Sequence, residues 1–190
     1  MYYVLSISDD YPESYWFNYD HGGSPNYLLF HAGKRFESLE TPPVFRLDRQ
    51  IGDERLSRLD FLMSDGGDFV SLKFAELMRT VAAKDVQLIE ADVYVAGKKL
   101  LGYHIANIAH LVECIDMKNS AYTPLFRSDP GGPIKFSRME FVDDGLKSHT
   151  IVRCKEDPMT IVVSEQFVQA CRSAGIKGVE FLRNGVRGSE

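Results

Sequence analysis

The sequence lacks several features that would point to a secreted or membrane protein. It has only three cysteines, at positions 114, 154 and 171, and no CxxC pair. An odd number of widely spaced thiols is typical of a reduced, cytoplasmic protein. No apolar run is long enough to span a bilayer, and no basic, apolar leader opens the chain. We therefore expect a soluble, cytoplasmic protein with no membrane partner.

Basic charge is also scarce. The 22 Lys and Arg residues are outnumbered by 27 Asp and Glu, which gives a formal net charge of −5. This balance argues against a nucleic-acid-binding protein, because such proteins attract phosphates through a basic surface. The acidic excess is concentrated in residues 1–60, with ten acidic and six basic residues. An acidic N-terminal third would suit a basic protein partner, although an acidic surface can also serve solubility alone.

Motifs that would indicate an enzyme are missing. Gly33-Lys34 lacks the preceding glycine and the following Ser or Thr of a phosphate-binding loop, and no GxSxG elbow is present. His104 and His110 are six residues apart, which does not match the spacing of a helix-borne zinc site. Cys114 and Cys171 lie in apolar stretches, where thiols usually pack and do not react. We expect no enzymatic activity, no cofactor and no bound metal.

The clearest structural pattern is near the C-terminus. Met159 to Val163 is an apolar, β-branched run, which is typical of a strand buried on both faces. Ser164 then supplies an N-cap for a helix with an apolar stripe, and Gly175 can adopt the left-handed conformation that ends it. The short segment Val179-Glu180-Phe181 follows and is typical of a strand. The pattern predicts a strand, a capped helix over 164–174 and a second strand.

The same pattern occurs 93 residues earlier. At this offset Ser71 aligns with Ser164, Phe74 with Phe167 and Val86 with Val179. We interpret the match as an internal strand-helix-strand repeat with a first helix over 72–83. The alternative is that two short capped helices resemble each other by chance, since two copies alone do not define a repeat protein.

The remaining chain is richer in strand patterns than in helix patterns. It predicts an α+β fold in which two main helices pack on one mostly antiparallel sheet. The predicted strands and hairpins are a first strand over 1–8, a strand over 44–47, an extended segment 86–95 that pairs back with 100–105, a strand over 108–117, and a hairpin in which 134–142 and 146–154 flank the turn Asp143-Asp144-Gly145.

The segment between the first strand and Pro25 alternates acids, aromatics and turn formers without a helical or strand period. Its aromatic residues either pack on the core or serve as anchors for a partner, because Tyr and Trp dominate interface hot spots. Since the segment shows no period that would bury it, we predict that it binds a partner. The predicted partner-binding residues are Asp9, Asp10, Glu13, Tyr15, Trp16 and Asp20.

Two groups of residues resemble a known family. The first is Tyr103 followed by Asn107, then the run Val112-Glu113-Cys114-Ile115-Asp116 and Ser120. The second is the ending, with Val163-Ser164-Glu165 and then Gly178-Val179-Glu180-Phe181. These motifs are similar to those of the immunity proteins of bacterial polymorphic toxin systems, formerly a domain of unknown function. The likeness covers residues 59–182. The sequence departs from the family pattern in the strand before the last helix. Members often have an "F-R" strand there, whereas this chain has Val152-Arg153-Cys154.

The resemblance implies a function and a domain organisation. Members are encoded beside secreted toxins, so the chain is expected to bind a cognate toxin in the cytoplasm and to neutralise it by steric occlusion. Residues 1–58 would form a variable N-terminal segment and residues 59–190 the immunity-type core, together making one compact domain. The alternatives are a small enzyme that acts on a toxin product, or a structural adaptor. Asp116 and Ser120 match the family motif, although such a pair also caps turns.

Overall fold

The computed structural model describes residues 1–129, 132–183 and 185, and the predicted α+β class is confirmed. The helices are α1 (Asp53–Leu56), α2 (Leu72–Val81) and α3 (Glu165–Ser173). The strands are β1 (Tyr2–Ile7), β2 (Asn18–Tyr19), β3 (Val44–Leu47), β4 (Phe61–Leu62), β5 (Phe69–Val70), β6 (Val86–Glu90), β7 (Asp92–Val95), β8 (Lys98–Leu100), β9 (His104–Ile108), β10 (Leu111–Val112), β11 (Ala121–Pro124), β12 (Ile134–Arg138), β13 (Ile151–Cys154), β14 (Ile161–Ser164) and β15 (Val179–Leu182).

The strands form four sheets. A five-stranded sheet has the order β10-β13-β14-β1-β15, and two four-stranded sheets have the orders β4-β5-β9-β6 and β2-β3-β7-β8. β11 and β12 form a separate two-stranded sheet. Among the described strands, only the pairs β3–β7 and β10–β13 are parallel. The predominance of antiparallel pairing agrees with the sequence prediction.

The predicted order of strand, helix and strand occurs twice. α2 joins β5 to β6, and these two strands lie on either side of β9, antiparallel to it. α3 joins β14 to β15, which flank β1 in the same way. The hydroxyls of Ser71 and Ser164 each accept a hydrogen bond, 3.3 Å long, from the amide three residues on. The two units therefore share their cap and their topology at the predicted offset.

The expectation that both helices pack on one sheet is wrong. α2 contacts β5, β6 and β9, whereas α3 contacts β1 and β14. Each unit needs a central strand between its two outer strands, so each unit builds its own sheet. The helices instead meet each other, with the rings of Phe74 and Phe167 6.2 Å apart. Their apolar faces fill the core between the two sheets.

The predicted hairpin around Asp143-Asp144-Gly145 is also wrong. β12 pairs with β11, while β13 pairs with β14 and β10. Asp144, Lys147 and Ser148 all have positive φ, so the chain coils through this segment and does not reverse in a two-residue turn. All four residues of β13 are buried, which requires the interior position that it takes.

Two other predicted strands are divided. The segment 100–105 splits at Gly102, whose φ of +87° bends the chain. β8 therefore pairs with β7, and β9 pairs with β6. The predicted strand over 108–117 contains only the end of β9, the short β10 and an isolated bridge at Ile115.

The N-terminal segment and the rest of the chain share one core cluster. The ring of Phe69 stacks on that of Phe45 at 4.3 Å and meets that of Phe17 edge-on at 5.0 Å. β3 pairs with β7 across the proposed boundary at residue 58. The division of the chain at that boundary stays a prediction. Within the described residues, no helix has the length and apolar character needed to cross a membrane.

Candidate partner-binding surface

The predicted partner-binding loop has a regular pattern that sequence reasoning missed. Tyr15, Phe17 and Tyr19 are buried, whereas Trp16 and Asn18 between them are exposed. This two-residue alternation ends in β2, which pairs with β3. The alternation could not be recognised in the sequence, because large aromatic side chains occupy both the buried and the exposed positions. The loop is thus attached to the core by every second residue.

Trp16 is held at the surface by this attachment. Its side chain is 47% exposed, while Phe17 next to it is fully buried. The amide of Phe17 donates to the carbonyl of Met63 at 3.0 Å, and the amide of Trp16 donates to the carbonyl of Glu13 at 3.3 Å. The indole therefore projects from an anchored backbone and is not a core tryptophan. Tyr15 lies in the core below it and is 9% exposed.

The predicted acidic residues fall into two groups. Asp9, Asp10 and Glu13 are exposed. Asp20 instead accepts a hydrogen bond from the amide of Gly23 at 3.0 Å and lies 3.7 Å from the guanidinium of Arg46. Asp20 therefore fixes a turn and is half-buried, whereas the other three acidic residues are exposed.

Asp10 borders a cleft of about 520 Å³ that also contains basic side chains. Arg55, Arg58 and Lys177 line this cleft together with Asp10 and Tyr15. Arg58 is paired with Glu54 at 2.8 Å. The surface beside the loop is consequently of mixed charge, which favours a protein partner over a uniformly charged polymer.

A cluster of titratable residues, Asp85, His110 and His149, was not found from the sequence. The buried Asp85 carboxylate accepts a hydrogen bond from Nδ1 of His149 at 2.7 Å and another from the amide of Thr150 at 2.6 Å. Nε2 of His110 lies 3.5 Å from the same carboxylate and 3.2 Å from the carbonyl of Lys84. The three residues come from distant parts of the chain, so no local spacing could reveal them.

The geometry of this cluster favours a structural role over a metal site. The two imidazole rings are stacked, with centroids 3.9 Å apart and planes 29° from parallel. Two imidazoles that share one ion must both hold it in their ring planes, which stacked rings do not allow. No hydroxyl or thiol in the described part of the chain is hydrogen-bonded to either ring. The cluster therefore offers no activated nucleophile.

A second group of possible ligands is Cys114, Cys154 and Glu156. The two thiols are in direct contact, with 2.6 Å between the sulfur atoms, and both are buried. The hydrogen bond that it shares with Cys114, together with burial, raises the pKa of the Cys154 thiol. The Glu156 carboxylate is already occupied, since it accepts from the amides of Cys114 and Ile115. The two buried thiols pack as small apolar side chains. Because the thiolate is the form that binds metal, the raised pKa of Cys154 makes this group a poor metal site.

The motif residues that match the family have local structural contacts. Asn107 is fully buried and donates to the carbonyl of Lys34 at 2.8 Å and to the side chain of Gln87 at 3.0 Å. The side-chain amide of Asn119 donates to Asp116 at 2.6 Å, and the backbone amides of Asn119 and Lys118 donate to the same carboxylate. These bonds, that from the Asn119 side chain above all, lower the pKa of the Asp116 carboxyl. The Ser120 hydroxyl accepts from the amide of Glu140 at 2.9 Å. Asp116 and Ser120 therefore fix the turn that leads into β11.

Comparison with known proteins identifies one family. A family model described as "Immunity protein family (Imm11)" matches residues 4–185, which includes the N-terminal loop as well as the two strand-helix-strand units. No curated protein matches the chain.

Proposed function

The chain belongs to the immunity protein family Imm11, which gives it a role in toxin immunity, and we propose that it neutralises one cognate toxin by direct binding. The family match is the observation that supports this function. In the proposed mechanism one copy of the protein covers the active site of one toxin molecule in the cytoplasm. No catalysis by the immunity protein, no cofactor and no nucleic-acid or membrane partner is required.

Trp16 is proposed as an anchor of the toxin-binding surface. A half-exposed indole on a backbone fixed by Tyr15 and Phe17 can enter a pocket of the partner with little loss of conformational entropy. Tyr15 contributes by supporting Trp16 from the core. The exposed carboxylates of Asp9, Asp10 and Glu13 surround this anchor in sequence and supply negative charge for steering a basic area of the toxin. Asp20 keeps the loop in shape.

The test of the function is binding to the toxin encoded next to this chain's gene. Titration calorimetry with a catalytically inactive form of that toxin should give one-to-one, tight binding of the wild-type protein. Trp16→Ala should weaken binding by about 2 kcal/mol without changing the melting temperature. Leu101→Ala is the matched control, because Leu101 is 80% exposed and lies outside the loop. Absence of wild-type binding would refute the proposed function, and full affinity of the Trp16 variant would refute only the anchor.

The acidic residues are tested by kinetics. The triple variant Asp9→Asn, Asp10→Asn, Glu13→Gln should associate more slowly with the toxin and show a weaker dependence on salt, while its dissociation rate changes little. The triple variant Glu37→Gln, Glu40→Gln, Asp48→Asn makes the same change in net charge at other exposed positions. Equal association rates for the two triple variants would show that only total charge matters and that these carboxylates do not steer the toxin.

A further inference from the structure

The hairpin formed by β11 and β12 contains the longest run of exposed residues in the described chain. It forms a sheet of its own, and all nine residues 121–129 are exposed. On the opposite strand, Phe136 is 8% exposed and packs in a core cluster with Val112 and Met139. The hairpin is therefore held by β12 and presents β11 and the segment after it to solvent.

This exposed segment contains large apolar side chains. Tyr122, Leu125 and Phe126 are 43%, 54% and 55% exposed, and all three fall within five residues. The ring of Tyr122 is oriented by an edge-on contact with Phe136 at 5.7 Å. Single exposed apolar residues are normal on a surface, but a group of this size in one protrusion is typical of an interaction site.

The charge of the hairpin is opposite to that of the whole chain. Residues 117–139 contain four basic residues and one acidic residue, a net charge of +3, although the chain as a whole has −5. The four basic residues are Lys118, Arg127, Lys135 and Arg138. Arg138 lies 3.3 Å from Glu140, whereas Arg127 and Lys135 form no ion pair with any described residue. Two basic side chains thus flank the apolar side chains and can form ion pairs with a partner.

Hydrogen bonds fix the hairpin at its base and at the far ends of its two strands. The amide of Leu125 donates to the carbonyl of Pro133 at 2.8 Å, and the guanidinium of Arg138 donates to the carbonyl of Asn119 at 3.0 Å. Ser120 accepts from the amide of Glu140. Strands that are already fixed before binding lose less entropy on association, which favours tight binding.

We propose that the β11–β12 hairpin inserts into an acidic cleft of the cognate toxin, with Leu125 and Phe126 in an apolar pocket and Arg127 and Lys135 against carboxylates. This proposal rests on the proposed function and specifies the surface that the toxin must present. A carboxylate-lined cleft is the usual active site of hydrolases that use paired acids or a divalent metal ion, so insertion there would block the chemistry directly. Trp16 and its acidic neighbours would then contact a separate, basic area of the same toxin.

Two other binding partners of the hairpin agree less well with its charge. A symmetric dimer formed through this surface would bring two hairpins of positive charge together, which is unfavourable. A nucleic acid would be attracted by the hairpin but repelled by the remainder of the chain, which has a net charge of −8. Nine exposed residues are also fewer than the roughly 20–30 that each partner contributes to a standard interface. The hairpin is therefore the protruding part of a larger contact with a concave protein surface.

The test uses the inactive toxin from the neighbouring gene and the full-length protein. Phe126→Ala should weaken binding at least about tenfold in calorimetry with no change in melting temperature. The double variant Arg127→Glu, Lys135→Glu should weaken binding more at about 50 mM than at about 300 mM salt, because screening reduces the contribution of these charges. Its matched control is Lys34→Glu, Arg49→Glu, which makes the same change in net charge elsewhere on the exposed surface.

The outcomes separate this proposal from the proposed function. Wild-type binding with loss in the hairpin variants alone supports the hairpin as the inserted element. Wild-type binding with full affinity in the hairpin variants overturns the insertion and leaves the immunity function intact. No wild-type binding overturns both. Two further measurements test other partners of the hairpin: binding of a fluorescent single-stranded RNA, and dimer formation by the wild type in sedimentation velocity. If either interaction occurs and Phe126→Ala abolishes it, the toxin is not the partner of the hairpin.

Discussion

Buried polar residues, more than exposed ones, fix connections between distant parts of this chain. Asp85 is fully buried, and its carboxylate joins the end of α2 to the segment before β13 through His149 and Thr150. Its backbone adds to the same junction, because its carbonyl accepts from the amide of Ala109 at 2.8 Å. A group of this kind is costly to remove, since its partners lose their only strong acceptor.

Asp85→Ala should therefore lower the free energy of unfolding by about 3 kcal/mol, because it leaves the amide of Thr150 and Nδ1 of His149 without an acceptor. Asp85→Asn retains one carbonyl oxygen and should cost less. Urea denaturation followed by fluorescence measures both. The control is Asp48→Ala, which changes an exposed carboxylate and should stay within about 0.5 kcal/mol of wild type. Equal stability of Asp85→Ala and wild type would contradict the structural role of the cluster.

His31 makes the stability of the fold depend on pH. Both ring nitrogens are buried and have no hydrogen-bond partner among the described residues. Burial, with a smaller contribution from the positive Arg153, lowers the pKa of His31 from 6.5 to about 4. The unfolded chain binds a proton at this histidine below about pH 6.5, whereas the folded chain does so only near pH 4. Stability from this group is present above pH 6.5 and is lost as the pH falls through that window.

His31→Leu should remove this acid sensitivity. The stability of wild type relative to the variant should be about 1 kcal/mol lower at pH 5 than at pH 7.5, once solvent screening at the partly exposed ring is considered. Burial also raises the pKa of Asp68 to about 6, so this group stabilises the fold as the pH falls, in the variant and in wild type alike. The measurement is therefore the difference between variant and wild type across pH 4.5–7.5. A constant difference would show that His31 titrates normally in the folded state.

At the scale of elements, the two capped helices are short and depend on their caps and their packing. α2 has ten residues and α3 has nine, which is too few for either to be stable in isolation. Each buries the aromatic ring at its third residue, Phe74 or Phe167, against the other unit. The caps are alike, but Ser71 has a second contact, because its hydroxyl donates to the buried Asp60 at 2.7 Å.

Ser164→Ala should lower the free energy of unfolding by about 1 kcal/mol, the usual cost of losing an N-cap. Ser71→Ala should cost about 2 kcal/mol, because Asp60 also loses a hydrogen-bond donor. Ser173→Ala, at an exposed position at the end of α3, is the control and should change little. Chemical denaturation of the three variants gives these values. Equal costs at Ser71 and Ser164 would show that the contact with Asp60 contributes nothing.

At the scale of the whole molecule, residues on both sides of position 58 share one core. Phe17 and Phe45 from the N-terminal segment enclose Phe69, and each of the three is fully buried. The parallel pairing of β3 with β7 adds backbone hydrogen bonds across the same boundary. We therefore predict that the N-terminal segment belongs to the same folding unit as the rest of the chain.

The fragment 59–190 should therefore fail to fold cooperatively. Removal of residues 1–58 would expose Phe69, Val93 and Ile105 from this core cluster. It would also remove β1 from between β14 and β15 in the five-stranded sheet. Circular dichroism with a thermal melt should show no cooperative transition for the fragment and a single one for the full chain. A fragment with a sharp transition would show that residues 59–190 form an independent domain.

The sequence by itself determined the local elements and the family. The Ser-capped helices, the strands on either side of each of them and the strand-helix-strand order follow from short-range rules, because caps, apolar stripes and glycine termini act within one or two helical turns. The resemblance of residues 103–120 and 163–181 to immunity proteins likewise agrees with the family match over residues 4–185.

Only the tertiary structure decided how these elements pair and which side chains meet. Ile134–Arg138 pairs with Ala121–Pro124, and the turn at Asp143-Asp144-Gly145 that favoured another partner does not form a hairpin. Asp85, His110 and His149 come together although up to 64 residues separate them. Strand pairing and buried clusters depend on which apolar faces can be covered at the same time, and this is a property of the whole chain. Local patterns contain no information about it, which is why the exposed hairpin emerged only from the fold.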